Sequence, residues 1–198
     1  MSVTPRSTLR QRLFAFLAAG IGGTLAAAMS FAMTVYEAAN PDVVPSVAVG
    51  EPVDTGRWVV TFREARTGAV PPTGVKPYEP KNFVMVEFDA DNRSAASAHV
   101  TGRLFAFDPP MENLPEPTFY LMRDKWIASA INPDMPERLV AAWEWPEALP
   151  LPQTVRLKVA SQIYKRRDNL YGASNWFDRD PVAVVELPVT AAESGAGQ

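Results

Sequence analysis

The sequence predicts an all-β domain, an antiparallel sandwich, behind a single N-terminal transmembrane helix. Three observations predict it. Residues 13–36 carry no charged side chain. Beyond them, short runs rich in β-branched and aromatic residues alternate with a period of two, the pattern of half-buried strands. The 19 prolines, about twice the usual share of roughly 5%, gather between those runs, as their exclusion from central strands requires.

Residues 1–12 hold Arg6, Arg10 and Arg12 and no acid, and read as a cytoplasmic N-terminus. The uncharged stretch 13–36 spans about 36 Å as a helix, enough for a hydrocarbon core of roughly 30 Å. Arginines before it, with Glu37 and Asp42 after it, place the remainder outside by the positive-inside rule. Ser30-Phe31-Ala32 offers a rival, a signal-peptidase site. The apolar character continues past it through Met33, Val35 and Tyr36, which favours a retained anchor. Along the helix, Leu13, Leu17, Ile21, Leu25, Met29 and Met33 form one bulky row. The other rows are small, and Gly20, Gly22, Gly23, Ala26 and Ala27 would let a second helix approach closely. The expected partners are the membrane itself, and other membrane helices or a second copy of this one.

Residues 37–46 read as a linker with prolines at 41 and 45, and residues 47–189 as the sandwich. Its expected strands are 57–65, 82–89, 99–107, 119–122, 138–145, 154–164 and 181–189. In 154–164, Val155, Leu157, Val159 and Ile163 are expected inward, and Arg156, Lys158 and Gln162 outward. With no intervening helical period, strands in this number point to two antiparallel layers. Residues 190–198 are small and polar and read as a disordered tail.

Composition narrows the function. Beyond residue 36 the chain carries 16 basic and 22 acidic residues, a net of -6, which does not suit nucleic acid. With no cysteine there is neither disulfide nor thiolate chemistry, and the single histidine, His99, stands without a nucleophile placed by sequence. Asp89-Ala90-Asp91-Asn92 starts like a calcium loop, but Val100 occupies the twelfth position where a glutamate is needed, so a polar strand end is expected. Gly20-x-Gly22-Gly23 falls in the apolar segment and is no phosphate loop. No catalytic set, metal or cofactor is expected.

The run NFVMVEFDADNRS (82–94) resembles the first core hairpin of small bacterial extracytoplasmic immunoglobulin-like domains of unknown function. ERLVAAWEWP (137–146) followed by TVRLKV (154–159) is similar to their paired strands. The resemblance implies an immunoglobulin-like sandwich held outside the cytoplasm by a transmembrane helix or lipid anchor. It implies no catalytic residues. The long insert 109–136 departs from that pattern.

One further stretch stands out, KRRDNLYGASNWFDRD (165–180), read as a connection of about 16 residues. Arg166, Arg167, Tyr171, Trp176 and Phe177 combine local positive charge with the amphipathic rings found at binding hot spots. The alternatives are that these rings cap the open end of the sandwich, or that the basic triplet 165–167 rests near anionic lipid headgroups. The expectation is a noncatalytic single-pass accessory subunit of the bacterial inner membrane, its exported sandwich docked on a larger membrane or envelope complex such as a transporter. The alternative is a tethered binding module for an envelope glycan, with Trp143, Trp145, Tyr171 or Trp176 as stacking platforms.

Overall fold

In the computed structural model the described residues are 23–24, 26–36, 39, 43–167, 170 and 172–191. The chain divides into two units, residues 1–43 and 44–198. In the first, residues 26–36 are helical with exposed side chains, Ala26 and Ala27 among them. A methyl group added at Gly23 would meet nothing within 4 Å. Gly20, Gly22 and residues 13–21 of the expected span lie outside the described residues. Among the described residues no helix is long and apolar enough to cross a membrane.

The second unit is built of strands: β1 (Ser46–Val47), β2 (Pro52–Asp54), β3 (Trp58–Gly68), β4 (Asn82–Asn92), β5 (Phe105–Phe107), β6 (Thr118–Leu121), β7 (Glu137–Trp145), β8 (Thr154–Lys165) and β9 (Asn175–Ala191). They form one curled sheet in the order β5-β8-β9-β3-β4-β7-β6, with β1 added on β9 and β2 on β3. The curl makes two layers. β9 pairs with β8 up to Pro188 and then, over Val189–Ala191, with β3, so a single strand joins both layers. Phe105 of β5 shares no ladder with β3 or β4. Its ring nevertheless lies 5.3 Å from Phe62 and 5.0 Å from Phe88, which places it across the core.

The sheet is mixed, not purely antiparallel as expected: β9 runs parallel to both β1 and β3. The reason is that β9 is the last strand and bridges the two layers. It meets strands near the start of the domain only after the whole intervening chain has crossed over, and long crossovers permit parallel pairing. Alternation survives best in β8, where Val155, Leu157 and Val159 are buried against Ala183, Val185 and Leu187 of β9. It fails in β4 and β7, because Phe83, Met85, Val140 and Ala142 form a second apolar cluster on the opposite face of the sheet from the main core. That explains the unbroken run Phe83-Val84-Met85-Val86.

Strand boundaries differ from expectation in several places: β1 and β2 fall outside the expected strands, and β3 and β4 run on to Gly68 and Asn92, past the expected ends at 65 and 89. His99 to Thr101 are irregular, a 3-10 turn covers Gly102–Leu104, and only Phe105–Phe107 pair. The insert 109–136 contributes β6, whose outer edge is covered by its own chain through a bridge between Tyr120 and Ile127. β9 runs from Asn175, well before residue 181, on to Ala191.

Candidate contact surface

The sequence 165–180 is not a 16-residue loop. β8 continues to Lys165 and pairs with β9 back to Asn175, so the hairpin extends past the core as a two-stranded ribbon. The register shifts twice between Val159 and Ser161. Bulges of this kind re-aim the side chains that follow. Ile163, expected inward, is accordingly 45% exposed. Outside the main core, Tyr164 is 48% and Leu170 is 78% exposed, and Trp176 and Phe177 are half-buried.

The ribbon has two faces, read from its cross-strand pairs. One carries Tyr164 opposite Trp176 and Gln162 opposite Asp178. It turns toward Arg57, whose guanidinium stands 5.4 Å from the Trp176 ring and 5.9 Å from that of Trp58. Tyr164 and Trp176 stack at 5.4 Å. Burial lowers the Arg57 pKa, opposed by attraction to Asp178, and its Nε has no hydrogen-bond acceptor. Asp178 accepts a bond from Gln162 Nε2 at 2.7 Å and sits 3.8 Å from Arg103. The Gln162 N–H donates to the Thr55 carbonyl at 2.6 Å. Gly56, at φ +88°, packs so tightly that an added methyl would strike the Gln162 carbonyl oxygen. Thr55, Gly56 and Arg57 thus form a clasp that holds this face against the domain.

The other face carries Ile163 opposite Phe177, Ser161 opposite Arg179 and Lys165 opposite Asn175. Lys165 Nζ lies 4.9 Å from the Phe177 ring. No carboxylate stands on these six positions. Nine Lys and Arg residues elsewhere in the domain pair with a carboxylate, while among the described residues Arg57, Lys76 and Lys125 stand apart from one another without an ion pair. Among the described residues, Lys165, Arg166, Arg167 and Arg179 also have no such partner. Tyr171 lies outside the described residues.

Sequence reasoning missed Arg57, Ile163 and Arg179. The signal for Arg179 was its place two residues beyond Phe177, the spacing of one strand face. Arg57 carried no signal, because its neighbour Trp176 is brought in by tertiary pairing.

The other candidates fall apart as sites. Trp143 and Trp145 are buried against Phe107, at 5.2 and 5.8 Å, so they are core and not stacking platforms. His99 is exposed on an irregular segment and belongs to no cluster of metal-ligating side chains; none is formed among the described residues. Asn92, at the end of the calcium-like run, is fully buried. It donates from Nδ2 to the carbonyls of Ala96 (2.9 Å) and Ile131 (2.8 Å), and its Oδ1 accepts from Ser94 N–H and O–H. It is a structural peg. Asp89 is engaged by Arg63 and Arg138; burial would raise its pKa, but their hydrogen bonds hold it below the usual carboxylate range. Burial and then the nearby Glu64 push Glu87 up, with Arg138 and Arg66 opposing.

No family model and no curated protein matches this chain. Its structure is similar to the crystal structure of an uncharacterized β-sandwich protein from Clostridium difficile 630, at 11% identity and a TM-score of 0.44, over 74% of this chain and 97% of that one.

Proposed function

We propose that this chain is a noncatalytic, single-pass accessory subunit of a bacterial inner membrane. Its immunoglobulin-like sandwich is held on the periplasmic side and docks on a larger membrane or envelope complex. The observation that carries the reading is the distal β8–β9 ribbon, an exposed strand pair whose aromatic and cationic side chains serve neither the core nor an ion pair. Rings and guanidinium groups of this kind dominate binding energy where two surfaces meet. The uncharged stretch 13–36 behind three arginines supports the tether, and its small residues support association with other helices.

The test is purification of the full-length chain from its native membrane with identification of the chains that accompany it. A stoichiometric larger assembly is expected. The Arg166→Ala/Arg167→Ala variant should lose it with unchanged melting temperature, and Gly22→Leu or Gly23→Leu should weaken it while leaving insertion intact. Recovery of the wild-type chain alone would overturn the docking reading.

A further inference from the structure

The ribbon's two faces differ in what they leave unsatisfied. On the Tyr164–Trp176 face the clasp supplies a cation for the indole, and Gln162 and Arg103 satisfy Asp178. On the Ile163–Phe177 face two cations, Lys165 and Arg179, flank an exposed aliphatic side chain and an aromatic ring and meet no carboxylate. A domain with a net of -6 beyond residue 36 has carboxylates to spare, and nine of its cations use them. Four unpaired cations at one end of one hairpin therefore form a local positive patch on an acidic body. Leu170, between the two strands in sequence, is 78% exposed.

We infer that the Ile163–Lys165–Phe177–Arg179 face lies on anionic phospholipid headgroups of the membrane that carries the chain. This rests on the reading of the distal ribbon as the domain's contact surface, and it names what one of its faces meets. The chemistry is that of an interfacial anchor: amphipathic rings and an aliphatic side chain enter the headgroup zone, while lysine and arginine reach phosphate oxygens. Lys165 is suited to both, since its ammonium already stands over the Phe177 ring and the stem of such a side chain tolerates apolar contact. The attraction to an anionic surface is about fivefold per cation near it and decays over a Debye length of about 8 Å at physiological salt. Two faces with different tasks also explain the clasp. A two-stranded ribbon is marginal alone, and Arg57, Gly56 and Thr55 fix which face turns outward.

The absence of cysteine allows a direct test. An environment-sensitive fluorophore is attached through Asn175→Cys, on the proposed lipid face, or through Thr118→Cys on the opposite edge strand as control. The full-length protein is reconstituted with vesicles of phosphatidylcholine alone or with 30% phosphatidylglycerol, each carrying a headgroup-level quencher. The label at position 175 should be quenched in the anionic vesicles and not in the neutral ones, and the label at 118 in neither. Quenching should fall several-fold at high salt and in the Lys165→Gln/Arg179→Gln variant, and persist in Lys165→Arg/Arg179→Lys. An unquenched label at 175, or equal quenching in both compositions, would overturn the proposal and leave an acidic protein surface as the partner of this face. Recovery of the wild-type chain alone from its native membrane, with quenching intact, would instead overturn the docking reading and spare this one.

Discussion

The two halves of the β8–β9 hairpin share one backbone ladder and almost nothing else. In the half nearest the turn-free end, Val155, Leu157 and Val159 are buried to 1% exposure or less, while the outward cations Arg156 and Lys158 are paired with Asp108 at 2.9 and 2.8 Å. In the distal half, Ile163 and Tyr164 are nearly half exposed and the cations are unpaired. Between them the register shifts at residues 159–161. Hydrogen bonding extended the strands; burial did not. The difference separates residues that make the fold from residues that the fold presents.

The comparison breaks most readily at its buried end. Leu157→Ala empties a fully buried site and should cost about 2–5 kcal/mol, whereas Ile163→Ala should change stability by no more than about 0.5 kcal/mol, as exposed substitutions do. Urea denaturation of both variants measures it. Equal losses would mean that the ribbon is core after all.

The junction comes next. Gly56→Ala forces a side chain into a left-handed backbone and against the Gln162 carbonyl. A strained backbone of this kind costs about 1–3 kcal/mol. The expected signature is local: faster hydrogen exchange at the Gln162 amide, whose bond to Thr55 is the first to loosen, with slow exchange retained at Leu157. Uniform acceleration along β8 would show instead that the hairpin is one cooperative unit.

Trp176→Ala sharpens the contrast from the other side. A fully buried tryptophan would cost about 3–5 kcal/mol. Here the ring is half-buried and loses one aromatic neighbour, Tyr164, and one cation, Arg57. The expected cost is about 1 kcal/mol, read as a small fall in melting temperature. Because the ring is engaged by Tyr164 and Arg57, its effect on co-purification is expected to be weaker than that of Arg166→Ala/Arg167→Ala.

Strand positions were legible wherever one face is buried. In β8 the two-residue period of Val155, Leu157 and Val159 names the core directly, and proline clusters mark the gaps between strands. The pattern misled where two tasks overlap. Phe83 and Met85 broke the alternation because both faces of β4 are covered. Ile163 kept the alternation in sequence but lost it in space, because a bulge adds a residue without leaving a residue-type signature. Arg166, Arg167 and Phe177 could be singled out from charge and ring content alone. Arg57 could not, since its role depends on a strand more than a hundred positions later being laid beside it. The parallel pairing of β9 with β1 and β3 was hidden for the same reason: side-chain periodicity reports which face is buried and says nothing of strand direction.

The smallest effect concerns pH and tests the contrast between paired and unpaired cations. Hydrogen bonds from Lys158 first, then Arg156, hold Asp108 below its ordinary pKa, against a smaller opposing effect of desolvation. A carboxyl whose folded pKa is depressed contributes stability that is fully present above its unfolded pKa, and that stability is lost as pH falls through the folded value. Melting temperature recorded from neutral pH down into the acid range should therefore fall slightly less steeply for Asp108→Asn than for wild type, with the curves farthest apart at neutral pH and converging in acid. Because the pair is solvent-exposed and salt screens it, the separation should shrink at high ionic strength. Lys165→Gln/Arg179→Gln removes two cations that meet no carboxylate, so its curve should run parallel to wild type throughout. A steeper or shallower acid limb in that double variant would reveal a carboxylate partner on the ribbon and remove the distinction between the two halves of the hairpin.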